Sequence, residues 1–281
     1  MLMREKRAVN NFITLGILII LTCVFVFPVI LVFMNSFKAR FYVSIQPFAW
    51  PSGDMFVGFE NYLNGLTTSG FLLAFFRSVF VSIFSVVLIV LCSSMTAWYI
   101  VRVKDKVTKL LYYIFVFSMI VPFQMVMYTM TFVVTSIYFS NIFGVVLVYL
   151  GFGAGLSVFM FSGFVKGLPL EIEEAAKIDG CNPIQRFFLI VFPMLKPTSI
   201  TVAVLNAMWV WNDFLLPYLV LGSDHKTVPV AIQIAMQGAY GSTDYGGFMA
   251  MLVLSVIPII AFYMGSQKYI IKGVIAGAVK G

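Results

Sequence analysis

The 281 residues are 61% hydrophobic and only 10% charged, with a mean hydropathy of +1.01, which excludes an ordinary soluble domain, where about 45–50% apolar content is usual. The net charge of +7 is dispersed over short segments between apolar runs, which argues against the concentrated basic face of a nucleic-acid-binding protein. Three scattered cysteines (Cys23, Cys92, Cys181) and a single histidine (His225) give no disulfide framework, no metal-ligand cluster and no nucleophile–base constellation.

Apolar stretches of about 20 residues, each long enough to cross a hydrocarbon core of roughly 30 Å, recur along the chain. The first, 12–34, follows Arg4, Lys6 and Arg7; it is too long for the apolar part of a secretion signal and lacks a small-residue cleavage site, so a retained anchor is expected. A long connection then carries turn residues at Pro47, Pro51-Ser52-Gly53 and Gly58. The second and third runs, 78–100 and 110–134, flank a tight basic connection, and the fourth is 142–165. After a polar island at 166–197 come the runs 198–220 and 247–266 and a tail, 267–281. Pro28, Pro122 and Pro258 fall inside runs, where a missing N–H favours a packing kink. Gly151, Gly155, Gly163 and Gly167 suit close helix approach better than nucleotide binding, since no strand precedes them.

These runs predict an all-α integral membrane protein of one domain with six transmembrane helices. Lys and Arg concentrate at the N-terminus, in 102–109, in 166–196 and in the tail, whereas the connections on the other side hold only Lys38, Arg40, Arg77 and Lys226. By the positive-inside rule both termini are cytoplasmic.

The island is the most informative segment. Pro169 suits a first helical turn, Glu171, Glu173 and Glu174 complement the helix dipole, and Gly180 suits a left-handed stop. Asn182-Pro183 reads as a cap and first position of a second helix, in which Ile184, Phe187, Phe188, Val191 and Phe192 share one apolar face. The spacing predicts a cytoplasmic helix-turn-helix. Its acidic first helix is repelled by anionic inner-leaflet lipid, so docking on a soluble partner is the better fit.

Glu174-Ala175-Ala176, Asp179-Gly180, Phe187 and Pro193 resemble the EAA loop of permease subunits of ATP-binding-cassette importers. Trp211-Asn212-Asp213-Phe214 with Pro217 resembles part of the fifth span in the carbohydrate-uptake branch. Gln267 to Gly273, continuing through Gly277 to Gly281, resembles the terminal tail of the maltose-type permease subfamily. Cys181 stands where alanine is usual, and Val191-Phe192-Pro193 replaces a more common isoleucine-containing ending.

The resemblance implies a prokaryotic cell-membrane permease that moves a sugar or oligosaccharide by alternating access. It implies a second permease subunit as heterodimer partner, two cytoplasmic ATPase subunits and an extracytoplasmic solute-binding protein. Glu174, Ala175, Ala176, Asp179, Gly180, Phe187, Phe188 and Pro193 would couple to the ATPase. Gly273, Gly277, Lys280 and Gly281, on a slim, apolar, weakly basic strand, would contact it from the tail. No Gly-Lys dipeptide exists, hence no Walker phosphate loop, so no cofactor is expected on this chain, and ATP and Mg would be held by the partner ATPase. Trp209, Asn212 and Asp213, the last an acid inside an apolar run, are candidates for the substrate pathway, with a helix-pairing role for Asp213 equally open. An importer of a non-sugar solute and an ion-coupled secondary transporter are the competing readings.

Overall fold

The computed structural model describes residues 2–68, 70–237 and 244–278. Among them there is no β-strand, only an isolated bridge between Lys38 and Phe56. In chain order the helices are α1 (Leu2–Asn35), α2 (Arg40–Ile45), α3 (Glu60–Thr68), α4 (Phe71–Arg102), α5 (Lys106–Ser118), α6 (Phe123–Ser136) and α7 (Ile142–Val165). Then follow α8 (Leu170–Ile178), α9 (Pro183–Arg186), a π turn (Phe187–Val191), α10 (Phe192–Met194), α11 (Lys196–Asn212), α12 (Leu215–Leu221), α13 (Val228–Gln237) and α14 (Tyr245–Ala278).

Among the described residues four helices, α1, α4, α7 and α14, contain stretches long and apolar enough to cross a membrane; two bent pairs, α5 with α6 and the segment Pro183–Met194 with α11 (78°), raise the number to as many as 6 if each is one span. Large apolar side chains stand exposed along these helices, from Phe12 to Phe33 on α1 for example, and such a surface belongs in lipid.

Two compact units are distinguished, Met1–Leu72 with Ala231–Ile257, and Leu73–Val230 with Pro258–Gly281. In the first, Lys38 is fully buried, and its Nζ donates to the carbonyls of Gln46 (2.8 Å) and Pro47 (3.2 Å). Burial holds its pKa below the ordinary lysine value. The Asn61 amide donates to the carbonyls of Ser36 and Lys38, both at 2.8 Å, and Gly246 lies so close that a Cβ there would stand 2.7 Å from the Asn61 amide nitrogen.

The second unit is built on two cores. One joins Ile89, Ala97 and Val101 of α4, Val158 and Phe161 of α7, and Phe187, Val191 and Leu195. The other joins Val81 of α4, Val145 and Tyr149 of α7, Val210 of α11 and Leu216 of α12. Polar residues set the helix starts. Asp105 and Thr108 form a capping box on α5, and Asn141 Oδ1 accepts from the amides of Phe143 and Gly144 on α7. At Gly155 a Cβ would meet Ser118 Oγ at 2.5 Å and the Phe115 carbonyl at 2.9 Å, so α7 and α5 touch where no side chain intervenes. Gly153 is equally confined, against Ile89 and Asn206. Gly151 and Gly163 face open space, so the close packing expected of them belongs to Gly153 and Gly155.

Two of the apolar runs are interrupted. The run 110–134 is α5 and α6, which meet at 107°. Pro122 precedes α6 in an extended conformation (φ −63°, ψ 138°), and its missing N–H ends the α5 ladder. The run 198–220 is α11 and α12, broken at Asp213-Phe214. Pro28 and Pro258, by contrast, sit within continuous helices.

Candidate functional site

The polar island folds as a helical hairpin. Helix α8 ends at Ile178 with Asp179 as its C-cap, and Gly180 follows with φ +85°, a conformation only glycine adopts cheaply. The Cys181 amide donates to the Ala176 carbonyl and the Gly180 amide to that of Lys177, which together make a Schellman stop. Two residues later Asn182 and Gln185 exchange side-chain-to-amide hydrogen bonds, each 2.9 Å, with Pro183 at the first helical position. The reversal is thus specified within five residues.

One side of α8 is locked to α4. Glu173 is buried; its Oε1 accepts from Arg102 Nη2 at 2.7 Å and Nε at 2.9 Å, and its Oε2 accepts from the Trp98 indole at 2.8 Å. Arg102 Nη2 also donates to the Leu168 carbonyl at 3.1 Å, and the Trp98 ring lies 5.5 Å from that of Phe187. Neither Trp98 nor Glu173 belongs to the residue set that the motif resemblance supplies. The available signal is spacing: Trp98 and Arg102 are i, i+4 on the last turns of α4, so both point the same way.

The other side of α8 is free. Glu171, Glu174, Ala175, Lys177 and Asp179 are exposed, whereas Ala176, one turn after Glu173, is buried. After the turn Ile184, Phe188, Leu189 and Pro193 are exposed. Phe187 is fully buried in the core of the chain itself, which corrects its assignment to a docking face. The physical reason is the π turn at Phe187–Val191. Pro193 has no N–H to offer the Leu189 carbonyl, the turn widens, and the Phe192 amide donates instead to the Phe187 carbonyl. The single apolar stripe expected from a 3.6-residue period is split. Phe187 and Val191 turn inward; Ile184 and Phe188 turn outward. Arg186 Nε, between them, is buried without a hydrogen-bond partner.

A second constellation lies at the α11–α12 break. Asp213 Oδ2 accepts from the Tyr149 hydroxyl at 3.1 Å, and Oδ1 accepts from the amides of Leu215 (3.0 Å) and Leu216 (3.4 Å). Both carboxylate oxygens are therefore engaged in bracing the break. The Trp209 ring stands edge-on to Tyr149 at 5.2 Å and is partly exposed, and Asn212 returns its amide to the Met208 carbonyl. A cavity of about 330 Å³ nearby is walled by Val79, Ile83, Trp211 and Phe262 and offers little to a hydroxyl-rich ligand.

Helix α14 runs on to Ala278, so Gly273 and Gly277 lie on a helix. This corrects the expectation of a strand: nothing in 267–278 stops a helix once it is under way, because isolated glycines cost only about 1 kcal/mol each. Lys280 and Gly281 lie outside the described residues.

Residues 89–276 match the family described as binding-protein-dependent transport system inner membrane component. The chain is 34% identical, over 98% of its length and 99% of the relative's, to a probable starch degradation products transport system permease protein, AmyC, of Thermoanaerobacterium thermosulfurigenes. It is 30% identical, over 99% of its length and 100% of the relative's, to the multiple sugar-binding transport system permease protein MsmG of Streptococcus mutans. In fold it is similar, with a TM-score of 0.75 at 19% identity, covering 93% of this chain and 96% of the other, to a chain in the crystal structure of a bacterial ABC transporter involved in the import of the acidic polysaccharide alginate.

Proposed function

We propose, from the premise that this chain belongs to the family of binding-protein-dependent transport system inner membrane components, that it is the membrane-spanning permease subunit of an ATP-binding-cassette importer for a sugar or oligosaccharide. The observation that carries this reading is similarity to permeases of sugar-uptake systems over 98% and 99% of this chain. The exposed apolar residues of α1, α4, α7 and α14 support a multi-pass membrane protein.

In the arrangement we propose, the chain crosses the membrane six times with both termini cytoplasmic. The pair α5–α6 counts as one crossing, and so does α11 with α12. Segment 166–197 is then a cytoplasmic loop whose exposed face docks in a groove of an ATPase subunit. Support comes from the chemistry left unsatisfied there: exposed Glu174, Ala175, Asp179, Gly180, Ile184, Phe188 and Pro193, and the unpartnered Arg186 Nε. ATP and Mg are held by two such ATPase subunits. A second, related permease completes the pathway, and an extracytoplasmic solute-binding protein delivers the sugar.

In operation, closure of the ATPase pair on ATP displaces α8 and the helix after it. Because Glu173 is held by Arg102 and Trp98, the displacement is passed directly to α4. The bundle thereby exchanges an inward-facing for an outward-facing cavity. Trp209 and Asn212 are the side chains we place on the sugar route; Asp213 holds the helix break beside them.

Removal of the chain from its host, followed by uptake measurements with a panel of radiolabelled oligosaccharides, tests the function. Loss of uptake of one sugar class, restored by the chain supplied in trans, is expected. Unchanged uptake of every sugar together with loss of a non-sugar solute would instead establish the competing importer reading.

A further inference from the structure

Where α4 and α7 end and α5 begins, the chain leaves a cavity of about 420 Å³. Lys104, Lys109 and Lys166 line it. Among the described residues the ion pair is Arg102–Glu173, so none of these three ammonium groups is paired with a carboxylate. Lys166 Nζ stands 5.5 Å from the centroid of the Tyr112 ring. Asp105 also borders the cavity, but its Oδ1 accepts the Thr108 amide at 2.7 Å as the cap of α5, and one carboxylate against three cations leaves the site positive. Ser162, on the opposite wall, is fully buried, and its hydroxyl has no hydrogen-bond partner. Ile100 and Val101 make part of the wall apolar.

Surplus cations, an unused buried hydroxyl and an apolar wall together suit an anion that carries hydrocarbon. The level is right for one, since the cavity lies at the ends of apolar helices.

We propose that this cavity binds the phosphate of an anionic phospholipid of the inner leaflet, with Lys104, Lys109 and Lys166 around the phosphate and the Ser162 hydroxyl donating to it. The assignment to the inner leaflet rests on the topology proposed above; the binding site does not. A lipid wedged among these three helices bears on the segment that ends at Arg102, so its occupancy bears on the same joint that holds α8.

The assembled importer, delipidated in detergent and offered phosphatidylglycerol against phosphatidylcholine, is read by native mass spectrometry. A preference for phosphatidylglycerol of at least about tenfold is expected. It should vanish in the triple variant Lys104→Gln, Lys109→Gln, Lys166→Gln and persist in the corresponding triple Arg variant. Ser162→Leu, which fills the cavity at unchanged charge, should also abolish it, and serves if the triple Gln variant does not accumulate. Undiminished preference in the Gln or the Leu variant overturns the proposal. So does displacement of the lipid by inorganic phosphate at equal concentration, which would mark a free-anion site. Loss of ATPase subunits from the Gln variant with lipid preference intact would reassign the lysines to a protein contact. Failure of the sugar-uptake experiment leaves this readout unaffected, so the two are separable.

Discussion

At the scale of single residues, Glu173 shows how helix phase divides chemically identical side chains. Glu171, Glu173 and Glu174 lie within one turn, yet only Glu173 is turned onto Arg102 and Trp98. Removing one partner of a buried, hydrogen-bonded ion pair costs about 3–5 kcal/mol, because the other charge is left without compensation. We therefore expect Arg102→Glu and Glu173→Arg each to lower sugar uptake per ATP hydrolysed in reconstituted vesicles. The exchanged pair should recover most of that ratio. A role confined to stability would lower the amount of assembled importer while leaving the ratio at its wild-type value, and that result would count against the joint. This arrangement was not legible in the sequence. Arg102 reads there as one of many cytoplasmic cations and Glu173 as one of three helix-dipole acids; only the tertiary approach of α4 selects them. The reversal at Gly180, Asn182 and Pro183 was legible, because each of those residues meets a backbone requirement that is local.

At the scale of elements, three breaks share one cause, a backbone ladder interrupted from within. The Pro122 ring ends α5, Pro193 widens the helix before it into a π turn, and Asp213 caps α12 at the expense of α11. Hydropathy averages over such points and reads straight runs through them. The π turn has the sharpest consequence, since it lies where Phe187 and Phe188 part into different surroundings, 0% and 43% exposed. Phe188→Asp should leave the chain in the membrane at normal abundance but sharply reduce recovery of the ATPase subunit in pull-downs. Phe187→Asp should instead deplete the chain itself, since a buried aromatic removed from a packed core costs about 3–5 kcal/mol even before a charge is introduced. Equal ATPase recovery from wild type and Phe188→Asp would show that the outward face of this element meets lipid or nothing.

For the whole molecule, the fold class, the apolar runs and the polar island were readable because lipid imposes a composition that no local conflict can hide. The end of the chain was less so: helix α14 continues through Gly273 and Gly277 as far as Ala278. Deleting 276–281 is expected to preserve insertion and permease pairing and to weaken the stimulation of ATP hydrolysis by sugar-loaded binding protein. Equal stimulation with and without the deletion would reduce this end of the chain to an inert extension.

The first compact unit draws on both ends of the sequence, Met1–Leu72 and Ala231–Ile257, and Gly246 seats directly against Asn61, whose amide holds the carbonyls of Ser36 and Lys38. Synthesis proceeds from the N-terminus, so this seat stays vacant until the chain has been made as far as residue 246. The segment around Lys38 and Asn61 must therefore wait for α14, and a nascent chain that stalls before residue 246 carries a buried-lysine loop still open on that side. Closure of this loop is a long-range step, and non-local contacts of that kind form slowly.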